Sequence, residues 1–257
     1  MPLTLIAHVT DRVRLGPAAL NPYTLHPFEI AGQAAALDLV SDGRAYVGIV
    51  QGAWLDELGL SEQKPLTALR EAVEIVRRVI AGDRSGFAGT RFTLAPGRGL
   101  AYQTRRSRIP LMIGTWKPRT AAFAGAAADE VKLGGCANPE MVAVMRGWIG
   151  NDDVGVVVGA VTVVDEDGDA ARARAAREVE LYLPVVAHHD VTLGLRAGQA
   201  PPLERFVLAG TPEEVARQAG GLLEAGVRRI EFGPPQGLHS TEAGVQLLAE
   251  RVVPLLR

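Results

Sequence analysis

Two periods of apolar and polar residues take turns along this chain. Pro27 to Val40 has helical spacing, opens on proline and closes on Ser41-Asp42-Gly43. Lys64 to Ala81 carries the clearest stripe: Leu66, Leu69, Val73, Val76 and Ile80 share one face, Glu74 and Arg78 form an i,i+4 pair on the wet side, and Gly82 follows. Pro118 to Ala127 and Pro139 to Ile149 read as two further helices, and Ala170 to Leu183 as a surface helix rich in Ala, Arg and Glu. Thr211-Pro212-Glu213-Glu214 spells a capping box, opening a helix that ends at Gly226, and Ser240 to Leu255 is a final amphipathic helix. Between them lie runs with strand character: Arg12 to Leu20, interrupted by Gly16-Pro17, then Ala45 to Val50, Ile109 to Ile113, Glu130 to Leu133, the β-branched Val154 to Val164, and Val227 to Phe232. Phe87 to Leu94 reads as a polar loop, and Gly194 to Pro202 as a loop without a defined pattern.

Strand and helix alternate from end to end without linker-like composition. This predicts one α/β domain over residues 1–257, with parallel strands and right-handed crossovers. The six strands fall short of the eight that close a (β/α)8 barrel.

Composition narrows the function. At 257 residues the chain has the length of a single α/β barrel, and 47% hydrophobic with 22% charged residues excludes general disorder. A net charge of −2 leaves no basic field for nucleic acid. Cys136 stands alone, which excludes an internal disulfide framework and a cysteine-rich zinc site. No apolar run approaches eighteen residues and Met1 to Arg14 lacks signal-peptide order, so a cytoplasmic protein with no membrane partner is expected.

Four places offer chemistry. Gly114-Thr115-Trp116-Lys117-Pro118 joins a strand to a helix start, where unpaired backbone N–H groups and the helix dipole favour an anion. A glycine admits the ligand, a threonine hydroxyl donates and one of only three lysines supplies charge, which describes a phosphate site. The competing reading is an ordinary connection with Thr115 as a cap. Gly48-Ile49-Val50-Gln51-Gly52 follows a strand and is either a close-approach turn for a ligand or a plain strand end. His188-His189-Asp190 has metal-ligating residue types, but adjacent side chains diverge, so a solvated helix end with no metal is expected. Cys136, after Gly134-Gly135, lacks an activating neighbour and reads as an inert wall-lining thiol. Arg98, Arg105 and Arg106 are further candidate anion contacts. The signatures of acyl and nucleotide-phosphoryl transfer, G-x-S-x-G and the P-loop, do not occur.

Several ordered motifs carry a resemblance: Leu15 to Tyr23 (LGPAALNPY), His26-Pro27, Leu37 to Arg44 (LDLVSDGR) and Gly48 to Gly52. Pro65 to Gly82, Gly89 to Leu94, Ile109 to Gly114, Ala124-Gly125 with Ala128-Asp129, and Gly210 to Glu214 continue the series. Together they resemble the luciferase-like flavin/deazaflavin oxidoreductase superfamily, nearest its coenzyme F420-dependent methylenetetrahydromethanopterin reductases. The likeness covers about residues 1–140 and 205–257. It implies a (β/α)8 TIM-barrel type of fold with the cofactor at the C-terminal ends of the strands. It also implies that Ala18, Ala19, Leu20 and Asn21, with a non-proline cis peptide at the bulge, back the ring together with Gly52. Gly114, Thr115, Trp116 and Lys117 match the segment that binds the cofactor phosphate.

Departures matter equally. Met1 to Leu15 resembles the segment leading into the family's third strand, so the first two strand–helix units have no counterpart, and a start site placed too late is the expected cause. Catalytic residues carried by those strands therefore have no assignment. The family's acidic residue after the second glycine of its turn is replaced by Ala53-Trp54. The leading expectation is a homodimeric F420-dependent oxidoreductase transferring hydride to or from a small organic substrate. The alternatives are an FMN-dependent monooxygenase of the same superfamily and a non-catalytic flavin-binding remnant.

Overall fold

Proline needs no N–H partner in a first helical turn, and this chain repeatedly starts its helices on or beside one. The computed structural model describes residues 2–60, 63–196 and 198–256. Its helices are α1 (Pro2–His8), α2 (Pro27–Val40), α3 (Pro65–Ala81), α4 (Pro118–Ala127), α5 (Pro139–Ile149), α6 (Gly168–Val179), α7 (Leu183–His189), α8 (Pro212–Glu224) and α9 (Thr241–Leu247). Its strands are β1 (Val47–Val50), β2 (Phe87–Ala88), β3 (Thr93–Leu94), β4 (Leu111–Gly114), β5 (Glu130–Gly134), β6 (Gly155–Val164), β7 (Val207–Gly210) and β8 (Val227–Gly237). Chain contacts divide them into two compact units, Met1–Gly114 and Thr115–Arg257. None of the described helices is long and apolar enough to cross a membrane.

In the first unit β1 and β4 pair in parallel, from Val47 opposite Leu111 to Val50 opposite Gly114. The expected strand over Arg12 to Leu20 does not form: the segment meets β1 only through isolated bridges, Leu15 with Ala45 and Leu20 with Ile49. Gly16-Pro17 interrupts it, and proline cannot donate to a ladder. The α3 stripe behaves as expected, with Leu69, Val73, Val76 and Ile80 buried. Glu74 meets Arg78 at 2.6 Å.

The LDLVSDGR motif turns out to be scaffold. Asp38 is buried and receives Arg106 Nε on both carboxylate oxygens, at 3.1 and 3.0 Å. Arg44 donates to Ser41 O, Val13 O, Ala7 O and Thr10 O, which closes off the end of α1. Arg105 pairs with Asp42 at 2.7 Å. Arg105 and Arg106, candidate anion contacts by sequence, are thus occupied by carboxylates of their own unit.

In the second unit β5, β7 and β8 all run parallel to β6. β8 pairs along most of β6, whereas β5 takes its first half and β7 its second. Since a strand has two edges, β5 and β7 lie end to end along the edge opposite β8. β7 has no counterpart in the sequence reading, because four residues give no measurable period. The tally of six parallel strands among the described residues therefore holds with a different membership, Val207–Gly210 replacing Arg12–Leu20. The helix expected over Ala170–Leu183 stops at Val179, and it is no mere surface element. Ala171, Ala175 and Val179 are buried against Val163, Val207 and Ala209. The helix expected over Ser240–Leu255 breaks into α9, a π-helical turn (Leu248–Val252) and a 3-10 turn (Val253–Leu256).

The polar loop expected at Phe87–Leu94 is instead the β2–β3 hairpin. Its anchor is Glu71 of α3, which is buried and accepts N–H groups from Thr90 (2.7 Å), Arg91 (2.7 Å) and Phe92 (2.9 Å). Burial pushes the Glu71 carboxyl up, yet the three backbone donors outweigh it and hold the carboxyl below its ordinary value. A depressed folded-state pKa means that the unfolded chain binds more protons. The contribution of Glu71 is therefore present above the usual carboxylate range and is lost as the pH falls through the folded value. In Glu71→Gln an amide NH2 would oppose backbone donors, so urea unfolding should show a loss of about 1–3 kcal/mol near neutral pH. That loss should shrink on acidification. Equal loss at every pH would contradict the assignment.

Candidate functional site

The two halves of the expected site each take shape within one unit. In the first, Leu20 runs beside β1, donating its N–H to Gly48 O and accepting Val50 N–H, both at 2.9 Å. The Ala18–Ala19 peptide just before it is cis, as the resemblance implies. Asn21 follows, and its side-chain oxygen is already committed to its own turn, accepting from Tyr23 N–H and Thr24 N–H at 3.0 Å and from the Thr24 hydroxyl at 3.1 Å. Its role is thus to shape the chain after the bulge. Gly52 lies just beyond β1 with φ +86°, the left-handed region that favours glycine, and Leu55 packs close against it.

In the second unit the segment Thr115 to Lys117 sits at the start of α4, and β5 holds it. Thr115 N–H donates to Lys132 O at 3.0 Å, and the Trp116 indole N–H donates to Gly134 O at 2.9 Å. Thr115 Oγ1 accepts Lys117 N–H at 3.0 Å. This is a local turn at the helix entrance, and Lys117 occupies the N-cap position without a side-chain capping bond. The Lys117 side chain is exposed, and the first turn of α4 holds no acidic residue. Gly114, the last residue of β4, belongs to the first unit and precedes this segment directly in the chain.

Sequence reasoning missed two features of the same unit. First, His189, at the end of α7, lies within electrostatic reach of Lys117. Burial, then His188 and Lys117, hold its pKa below the ordinary histidine value. The expected solvated helix end is therefore only half right, because Asp190 is buried. Asp190 accepts Asn138 Nδ2–H at 2.8 Å and Thr192 N–H at 2.9 Å. Among the described residues no group of His, Cys, Asp and Glu is placed to hold a metal ion.

Second, one face of the sheet carries charge. Lys132 of β5 and Glu231 of β8 form an ion pair, Arg229 bridges Glu231 (2.7 Å) and Glu130 (2.6 Å), and Gly159 of β6 lies beneath. A Cβ at Gly159 would stand 2.9 Å from Lys132 Cε, so its absence lets the pair meet across β6. The alternation of Glu130 and Lys132 with apolar Val131 and Leu133 was the available signal.

Against Gly135 lie Tyr182 and Val186, while the other side of α7 (Leu183, Pro184, Ala187, His188) lines an open cleft of about 770 Å³ closed by Arg177, Asp190 and Leu193. Cys136 is fully buried, and burial, reinforced by the Asp190 charge, pushes its thiol up to about 12.

The family described as luciferase-like monooxygenase matches residues 1–229. The 5,10-methylenetetrahydromethanopterin reductase of Methanopyrus kandleri is 29% identical over 299 aligned positions, covering 98% of this chain and 85% of that protein. The solved structure of the coenzyme F420 dependent tetrahydromethanopterin reductase from Methanopyrus kandleri gives a TM-score of 0.86 at 26% identity, covering 99% of this chain and 86% of that one. That of monooxygenase RslO1 from Streptomyces bottropensis gives 0.78 at 26% identity, covering 98% and 81%.

A thiol this buried and this weakly acidic should ignore Ellman's reagent at about pH 8 in the folded protein and react fully once unfolded. Reaction of one equivalent within minutes in the native state would contradict the burial of Cys136.

Proposed function

The chain belongs to the luciferase-like monooxygenase family, with a (β/α)8 TIM-barrel type of fold, and from that premise we propose that it is an F420-dependent oxidoreductase moving a hydride to or from a small organic molecule. On this reading residues 1–257 act as one catalytic domain, in a cytoplasmic homodimer. The observation that carries it is the start of α4. The first turn of α4 holds no acidic residue, Thr115 and Trp116 are fixed to β5, and Lys117 follows them with an exposed side chain. These residues fit a phosphate: the helix dipole attracts it, the Thr115 hydroxyl can donate to it, and the lysine adds a full charge. Gly114, next to them in the chain, brings no side chain to the segment. Ala18, Ala19, Leu20 and Gly52 would hold the ring by van der Waals contact, with Asn21 shaping the segment that carries them.

When bound, the deazaflavin supplies hydride transfer at its C5. What the chain supplies is position: phosphate contacts at Thr115 and Lys117 fix the anionic end of the ligand. The likeness to reductases named for F420 supports this cofactor. The likeness to RslO1, a monooxygenase, supports the reaction class of a second reading, an FMN-dependent monooxygenase.

Titrating the purified protein with F420 and with FMN separates the two. Tight F420 binding and none for FMN is expected, and the reverse would overturn the proposal. Lys117→Ala should weaken the bound cofactor by about 1–3 kcal/mol, the range of a charge-assisted hydrogen bond, with no change in melting temperature. An unchanged dissociation constant would mean that the phosphate lies elsewhere.

A further inference from the structure

The turn that follows β1 is built around an outlier. Trp54 adopts φ +52°, the left-handed region that bulky side chains avoid, and its side chain is 49% exposed. Nothing about burial therefore explains why a tryptophan sits there. Around it the loop is tightly made: Leu55 packs onto Gly52, Leu58 N–H and Leu60 N–H both donate to Leu55 O at 3.1 and 2.8 Å, and Gly59 N–H donates to Asp56 O at 2.9 Å. Trp54 thus stands exposed four residues beyond β1 and two after Gly52, the glycine proposed above to back the cofactor ring. Leu58 adds a second exposed apolar side chain (64%), and Asp56 and Glu57, the two residues before it, are both negative and exposed.

We propose that Trp54 is a substrate-contacting residue that selects a flat, uncharged, apolar molecule as hydride partner. This rests on the cofactor reading above. The physical case has two parts. An indole face gives a planar ligand a large stacking area at little entropic cost. Asp56 and Glu57 repel phosphorylated or carboxylated molecules, which turns an apolar preference into a discrimination. Positive φ at an exposed aromatic residue, held by the loop around it, is a mark of such use.

The test measures binding of menadione, a neutral planar quinone, by calorimetry to the full chain and to Trp54→Gly and Trp54→Phe, with thermal melting alongside. Glycine takes positive φ without steric cost, so Trp54→Gly should melt at or above the wild-type temperature while binding menadione about tenfold more weakly. Trp54→Phe keeps an aromatic face and should stay within about threefold of wild type. Glucose 6-phosphate, anionic and non-planar, should show no dependence on residue 54. The proposal is overturned if wild type does not bind menadione, if Trp54→Gly binds it as wild type does, if Trp54→Phe loses as much as glycine, or if Trp54→Gly melts lower. Failure of wild type to bind either cofactor would overturn the cofactor reading, while the menadione result would judge Trp54 by itself.

Discussion

Two hydrogen bonds to β5 determine what the start of α4 can offer a ligand. Thr115 N–H on Lys132 O and the Trp116 indole on Gly134 O turn the chain so that Lys117 enters the helix with its side chain outward. β5 is held in turn by charge. Lys132 reaches Glu231 across Gly159, and Arg229 links Glu231 back to Glu130. Such partly buried pairs add little net stability, because desolvation offsets most of the attraction. Breaking one partner is costly all the same, so the network fixes position more than it strengthens the fold.

The first unit solves its own positioning problem differently. There the Leu37–Arg44 motif ties helix ends to a strand: Asp38 joins Arg106 and Ala45, while Arg44 takes up carbonyls at the end of α1. Charge-assisted hydrogen bonds of this kind contribute about 1.5–3 kcal/mol each when buried. Residues that look like site candidates because they are charged and clustered are here consumed by the scaffold. Glu71 belongs to the same class, a carboxylate spent on three backbone donors so that a short hairpin can stand.

Elements with punctuation were legible from sequence, and elements without it were not. α2, α4 and α5 run between the residues expected of them, because proline opens each and, in α2 and α5, Ser41 and Gly150 mark the end. β7 was missed since Val-Leu-Ala-Gly has neither length nor period, and Arg12–Leu20 was over-read since its apolar residues outvoted Gly16-Pro17. Within the site, the local features were visible: the helix start, the threonine, the lysine. Glu71 with its hairpin, His189 beside Lys117 and the pair across Gly159 depend on partners nineteen or more positions away, and no window along the chain contains both ends of such a contact. The positive φ of Trp54 was equally hidden, since tryptophan carries no turn signal.

The central claim is that the start of α4, with the Thr115 hydroxyl and the Lys117 ammonium, receives the cofactor phosphate. The most direct measurement is amide and indole N–H chemical shifts of the isotope-labelled protein during a titration with F420. The account predicts that the largest shifts fall on Thr115, the Trp116 indole, Lys117 and Arg119, saturating together with the optical change of the cofactor. Saturable F420 binding that leaves these four signals in place would contradict it.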